Sequence, residues 1–194
     1  QAYVKAAAQV GQAYPSCGLH WSGLAAVGRV ETNHGRMGAA QINTAGQLLP
    51  PILGPRLDGT AGKAAVPDTD QGALDGDPQF DRAVGPMQFL PATWKQYPFD
   101  GNGDNVSDPN NIWDAALAAG VYLCQGRSGL QYEPGLQAAA QAFNNSPEYA
   151  SRLVAQARTY GQASVPGGTR NDYTPPAPAA TPGVPSANGV PAIP

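Results

Sequence analysis

A change of composition near Gly161 decides which part of this chain can build a core. Eight prolines fall between Pro166 and Pro194, among Ala, Gly and Ser residues and with almost no large apolar side chains. Such a segment cannot offset its ordering entropy by burying apolar surface. The sequence therefore predicts one folded domain over residues 1–160. It also predicts a disordered or partly polyproline II tail over residues 161–194, either a linker or a passive end.

The bulk composition excludes several classes of partner. The net charge of −3 favours neither nucleic acid nor an anionic membrane surface. No apolar run approaches the roughly 20 residues of a membrane-spanning helix. The opening segment, residues 1–5, lacks the apolar stretch of a signal peptide, which indicates a processed or trimmed end. We expect a monomer.

Helical periodicity predicts a mainly α fold. Residues 36–82 lack this periodicity and are punctuated by Gly, Pro and Asp, which predicts a long ordered loop or insertion. Long loops inside compact domains tend to be functional. The predicted helices span residues 2–14, 21–33, 88–97, 111–125, 136–143 and 147–160.

Glu31 closes the second predicted helix, in the string Gly28-Arg-Val-Glu-Thr-Asn-His-Gly35. Burial against apolar groups raises the pKa of a carboxyl group, and the dipole at a helix C-terminus acts in the same direction. A carboxyl group that stays protonated near neutral pH can serve as a general acid. The alternative is a surface glutamate that pairs with Arg29 or Arg36.

Three short motifs follow one another along the chain. They are Glu31-Thr-Asn-His-Gly35, Gly85-Pro-Met-Gln-Phe-Leu-Pro-Ala-Thr-Trp94 and Ala142-Phe-Asn-Asn-Ser146. They resemble, in the same order, the Glu-Ser-x-x-Gly, Gly-Leu/Pro-Met-Gln-Phe-x-Pro-Ser-Thr-Trp and Ala-Tyr-Asn motifs of lytic murein transglycosylases. The match is to the membrane-bound B type, which has a lysozyme-like fold, in its secreted actinobacterial form. The resemblance covers roughly residues 15–160.

This resemblance implies an enzyme that cleaves the MurNAc–GlcNAc β-1,4 bond of peptidoglycan and leaves 1,6-anhydro-MurNAc ends. Glu31 would be the single catalytic acid and base, the C6 hydroxyl of the substrate would be the nucleophile, and no cofactor is needed for the chemistry. Phe143 lacks the hydroxyl of the family's tyrosine, which leaves open which group supplies it. The implied substrate-binding residues are Thr32, Met87, Gln88, Phe89, Phe143 and Asn144.

Two other functions stay open at this point. In a lysozyme-type hydrolase, water would replace the C6 hydroxyl, and Asp70, Asp75 or Asp77 could serve as its base. In a catalytically silent peptidoglycan-binding module, the cleft would bind glycan without turnover. Core packing is an alternative role for Met87 and Phe89, and His34 is expected to cap the helix or support the site from behind.

The two cysteines, Cys17 and Cys124, form no CxxC pair, and the two histidines do not complete a zinc site. Two buried reduced thiols are one interpretation. The low lysine content, the many Pro and Gly residues and the resemblance to a wall enzyme imply a secreted protein of the cell wall, where disulfides persist. We therefore predict a Cys17–Cys124 disulfide.

A loop of alternating oxygen-bearing side chains precedes the fourth predicted helix. Its spacing is similar to that of an EF-hand, although Asn105 and Asn111 depart from the Gly and Glu of that pattern. The loop predicts either a structural Ca²⁺ site or a turn rich in Asp and Asn that caps the next helix. The candidate ligands are Asp100, Asn102, Asp104, Asp108 and the carbonyl oxygen of Val106.

Overall fold

A computed structural model describes residues 1–162 of the chain, and it confirms that the domain is mainly α-helical. The predicted tail lies outside the described residues from position 163 onward. None of the described helices is long and apolar enough to cross a membrane. The α-helices are α1 Ala2–Ala13, α2 Trp21–Thr32, α3 Pro91–Gln96, α4 Ile112–Cys124, α5 Glu133–Phe143 and α6 Pro147–Gln162.

Two helices begin three residues away from the predicted position. α3 begins at Pro91 rather than at position 88, because Val84 and Phe89 exchange backbone hydrogen bonds and close a tight turn before it. Gln88 within that turn has a φ of 53°, which is incompatible with a helix. α5 begins at Glu133, before the predicted position 136, with proline in its first turn.

The core forms where α1 packs on α4, where α2 packs on α6, and where α5 packs on both α4 and α6. α4 is buried on nearly every side, and its small residues allow its neighbours to approach closely. Gly28 shows the same effect in α2, because a Cβ added there would lie 2.2 Å from the hydroxyl of Tyr3 on α1. These contacts fix the direction of α2, which carries Glu31 in its last turn.

The Cys17–Cys124 disulfide is present, which confirms the predicted pair. Cys17 lies in the connection between α1 and α2, and Cys124 is the last residue of α4. Both residues are almost completely buried. The bridge therefore ties the segment that leads into the Glu31 helix to the central helix of the core.

Residues 36–82 form an irregular segment that folds back on the second motif. It contains a short antiparallel hairpin, β1 Gln41–Ile42 with β2 Leu48–Leu49, and a single 3₁₀ turn, Thr60–Gly62. The amide of Gly54 donates to the Ala83 carbonyl at 2.7 Å, and the amide of Gly85 donates to the Ile52 carbonyl at 2.9 Å. The hairpin was not predicted, because strands this short show no alternation of apolar and polar residues.

Candidate active site

Glu31 lies in the last turn of α2, with its carboxyl group partly buried between α2 and α6. The hydroxyl of Tyr149 on α6 donates a hydrogen bond to Glu31 Oε1 at 2.7 Å. Tyr149 is only 3% exposed, so this hydroxyl is shielded from bulk water. The contact holds one oxygen of the carboxyl group and leaves the other oxygen for a substrate.

The surroundings of Glu31 favour its protonated form. Burial raises the pKa of Glu31 to about 7, against the opposing effects of the Tyr149 hydrogen bond and the positive charge of Arg152. A carboxyl group with such a pKa is protonated in a large fraction of molecules at neutral pH. It can therefore donate a proton to a leaving oxygen and then accept one from a nucleophile.

The hydroxyl group that contacts Glu31 belongs to Tyr149, whereas Phe143 has none. Phe143 instead packs edge-on against the rings of Phe89 and Tyr122, at centroid distances of 5.9 and 5.4 Å. Tyr149 was not predicted as a site residue, because Tyr149 lies in the apolar stripe of α6 and resembles a core residue there. The available signal was that a buried tyrosine requires a hydrogen-bond partner for its hydroxyl.

An open groove of about 820 Å³ runs along the exposed side of Glu31. It lies between the end of α2, with the turn that follows it, and one face of α6. Among the described residues, Glu31 contributes the only carboxyl group that lines this groove. The lining residues are Arg29, Val30, Glu31, Thr32, Asn33, Arg36, Met37, Gly38, Arg152, Ala155, Gln156 and Thr159.

Thr32 joins the first motif to the second. Its hydroxyl donates to the Pro86 carbonyl at 2.7 Å and accepts from the Gly35 amide at 2.8 Å. Thr32 is 2% exposed, so both hydrogen bonds are internal to the protein. Thr32 also lines the Glu31 groove, so its predicted contact with substrate stays a prediction.

The other predicted substrate-binding residues divide by burial. Met87 and Phe89 are buried in the core, which supports the packing alternative and not a direct contact with substrate. Gln88 is half-buried, and its side-chain amide donates to the Gly85 carbonyl at 2.9 Å. Phe143 is half-buried and Asn144 is exposed. None of these five residues lines the Glu31 groove.

His34 supports the end of α2 from behind. Its Nδ1 lies 3.0 Å from the hydroxyl of Tyr3 on α1, and its Nε2 lies 2.8 Å from the hydroxyl of Tyr160 on α6. Burial lowers the pKa of His34, with smaller effects in the same direction from Arg29 and Arg36. A neutral imidazole donates from one nitrogen and accepts at the other, so His34 links α1 to α6 directly behind the Glu31 turn.

Asp70, Asp75 and Asp77, the residues considered as the base of a hydrolase, form hydrogen bonds and ion pairs within residues 36–82. Asp77 forms an ion pair with Arg56, at 2.5 Å between Oδ2 and Nε. Asp75 accepts from the Arg82 amide at 2.6 Å, and Asp70 accepts from the Leu74 amide at 2.9 Å. None of the three lines the Glu31 groove, so residues 1–162 place no second carboxyl group there.

The candidate calcium loop forms the hydrogen bonds of a turn. Asp100 accepts from the amides of Gly103 and Asn105, and Asp104 accepts from the Val106 amide. Within residues 1–162, the group of three acidic side chains that brings its oxygens within 4.8 Å of one another is Asp68, Asp70 and Asp81, which lies outside this loop. The hydrogen bonds correspond to the alternative, a turn rich in Asp and Asn, and the binding of Ca²⁺ by this loop stays a prediction.

The loop is anchored by Asp114, which the sequence analysis did not single out. The Asp114 carboxylate accepts from the amides of Gly101 and Asp108, at 2.8 and 3.1 Å, and the residue is 1% exposed. Asn111 caps α4 by accepting from the Trp113 amide at 3.0 Å. The loop and the start of α4 therefore stabilise each other.

We expect the substitution Asp114→Ala to lower the free energy of unfolding by about 2 kcal/mol, because the buried amide of Gly101 and the partly buried amide of Asp108 lose their acceptor. Urea unfolding monitored by circular dichroism measures this loss. Asp104→Ala is the matched control, because Asp104 belongs to the same loop but is exposed. Equal losses for the two variants would show that Asp114 does not anchor the loop.

Comparison of the chain with protein-family models, curated proteins and solved structures finds no significant match.

Proposed function

We propose that this chain is a lytic transglycosylase of peptidoglycan with a lysozyme-like fold, acting outside the cytoplasm. The observation that carries the proposal is the state of Glu31, a partly buried carboxyl group with a pKa of about 7, held by Tyr149 in an open groove. The three ordered motifs support the same proposal, and the disulfide is compatible with an oxidising compartment.

The proposed reaction needs only this one carboxyl group. Protonated Glu31 gives its proton to the glycosidic oxygen as the bond between that oxygen and C1 of MurNAc breaks. The Glu31 carboxylate then takes the proton of the C6 hydroxyl as the oxygen at C6 bonds to C1 of the same sugar. Glu31 returns to its protonated form, and no water is consumed. An inverting or retaining hydrolase would instead need a second carboxyl group across the scissile bond.

The masses of the products test the proposal. Purified peptidoglycan is digested with the protein, and the soluble fragments are separated and weighed. A transglycosylase gives 1,6-anhydro-muropeptides, each lighter by one water than the corresponding hydrolysis product. Reducing ends without anhydro ends would show a lysozyme-type hydrolase, and glycan binding without any product would show a binding module.

Tyr149→Phe should lower kcat for peptidoglycan fragments about tenfold, since one hydrogen bond of about 1–1.5 kcal/mol no longer orients the acid. KM should change little, because Tyr149 is buried and does not line the groove. The Tyr149 hydroxyl lowers the pKa of Glu31, so its removal should also shift the alkaline limb of the kcat profile to higher pH.

Tyr160→Phe is the matched control for this prediction. It removes a hydroxyl from the same helix, but that hydroxyl contacts His34 rather than Glu31. The alkaline limb of the kcat profile of Tyr160→Phe should stay at the same pH as that of the wild type. If the limb of Tyr149→Phe also stayed in place, the hydrogen bond to Glu31 would have no part in the reaction.

A further inference from the structure

The Glu31 groove carries a charge opposite in sign to that of the whole chain. Its lining contains three arginines, Arg29, Arg36 and Arg152, and one carboxyl group. The chain as a whole has a net charge of −3. The positive charge of the groove is therefore a local feature of two walls, one at the end of α2 and the other on α6.

The arginines of the groove form no salt bridge within the described residues. The salt bridges of residues 1–162 involve Arg56, Lys63 and Arg158, and none of the groove arginines. Arg29 donates to the neutral side chain of Asn33. Arg36 and Arg152 are exposed on opposite walls of the groove. Exposed guanidinium groups that face a groove are available to bind an anion.

The positive charges of Arg36 and Arg152 affect the pKa values of nearby side chains. Burial raises the pKa of both Glu31 and Tyr149, and the charge of Arg152 opposes that rise; burial lowers the pKa of His34, and the charge of Arg36 adds to that fall. The positive potential thus reaches the groups on both sides of the candidate acid. An anionic substrate would be attracted to this groove, and a neutral glycan would gain nothing from it.

We propose that this groove selects glycan strands whose peptide stems carry free carboxylates, with Arg36 and Arg152 binding those carboxylates from its two walls. This inference rests on the proposed function, which supplies the glycan. Guanidinium groups match carboxylates in geometry and bind them through paired hydrogen bonds. The sugars themselves offer mainly hydroxyl and N-acetyl groups, so most of the charge of the substrate lies in its stem.

Binding to three forms of the same strands tests the proposal. The first form carries stems with free carboxylates, the second carries the same stems with every carboxylate converted to an amide, and the third has lost its stems and exposes only the lactyl carboxylate. Affinities are measured with Glu31→Gln, in which strands are not consumed. We expect the free stems to bind about 10-fold more tightly than the amidated stems at low salt. The stem-free strands should fall near the amidated form.

The arginine variants identify the source of this preference. In Arg36→Gln/Arg152→Gln the preference should fall to within about twofold, and in Arg36→Lys/Arg152→Lys much of it should remain, because the charge is kept. High salt should weaken it in the parent protein. Lys95→Gln is the control, since Lys95 is exposed on α3 and does not line the groove. Far-UV circular dichroism confirms that each variant is folded.

Several outcomes would overturn the inference. Equal affinity for free and amidated stems would show that the protein does not distinguish charged from neutral stems. A preference that remains in Arg36→Gln/Arg152→Gln would show that other residues bind the stem carboxylates. Tight binding of the stem-free strands would assign the groove to the lactyl carboxylate. The proposed function fails separately, if the wild-type protein releases no anhydro product from any of the three forms.

Discussion

Replacing Glu31 by Gln should lower the rate of peptidoglycan cleavage by about 10³-fold or more, the scale expected when a general acid is lost. The glutamine side chain has nearly the size and shape of the protonated carboxyl group and can still accept the hydrogen bond of Tyr149. It has no proton to give to a leaving oxygen at neutral pH. The measurement is the initial rate of release of soluble fragments, with glycan affinity determined in parallel.

The same substitution should change stability in a way that depends on pH. The pKa of Glu31 rises from 4.5, its ordinary value, to about 7 in the folded protein. A carboxyl group with a raised pKa is harder to ionise in the folded state, so it lowers stability progressively as pH rises from about 4.5 through 7. A neutral Gln avoids this cost. The variant should therefore be more stable than the wild type by about 3 kcal/mol at pH 8, and similar to it at pH 4.

Urea unfolding at pH 4, 6 and 8 measures this difference, and Glu148→Gln is the control. Glu148 lies on α6 beside Tyr149, but it is exposed, and hydrogen bonds hold its pKa below the ordinary value. Its replacement should bring no gain in stability above pH 7. If Glu31→Gln lost activity and also lost stability at every pH, Glu31 would have a structural role instead of the proposed one.

The position of the candidate acid was predictable because it depends on local sequence. The apolar stripe of α2 and the end of its periodicity place Glu31 in the last turn of a helix, and the first motif marks the same residue. Its hydrogen-bond donor was not predictable in this way. Tyr149 is 118 residues away, and only the packing of α2 on α6 brings the two side chains together.

The second motif shows that a motif alone does not predict which of its side chains are buried. Its sequence predicts residues that approach a substrate, whereas the fold buries the side chains of Met87 and Phe89. A motif identifies which residues belong together, but apolar side chains on a turn can face either a cleft or the core. Only the direction of the chain through residues 84–89 decides between them.

The loop before α4 shows a related limit of the sequence. Alternating Asp and Asn residues are compatible both with oxygen ligands for a cation and with turns in which side chains accept backbone amides. The carboxylate that anchors the loop belongs to Asp114, which lies outside the alternating pattern and accepts from two amides of the loop. Spacing within a loop does not reveal a carboxylate that the following helix contributes.

Removing the disulfide should produce the largest loss of stability of any change considered for this fold. The bridge joins residues 107 apart in sequence. In the chain-entropy model, closing a loop of that length restricts the unfolded chain enough to stabilise the folded state by about 4–5 kcal/mol. Cys17→Ala/Cys124→Ala should therefore unfold at a much lower urea concentration. Alanine avoids burying the unpaired hydroxyl groups that serine would introduce at these two buried positions.

Reduction of the wild-type protein provides the matched comparison. It should bring the unfolding midpoint close to that of the double variant, and reductant should not change the variant further. Activity per folded molecule should persist in both, since Cys17 precedes α2 and Glu31 lies in its last turn. A loss below about 1 kcal/mol would mean that the unfolded chain gains little freedom when the bridge is broken. A loss of activity from fully folded protein would mean that the bridge also positions α2 for the reaction.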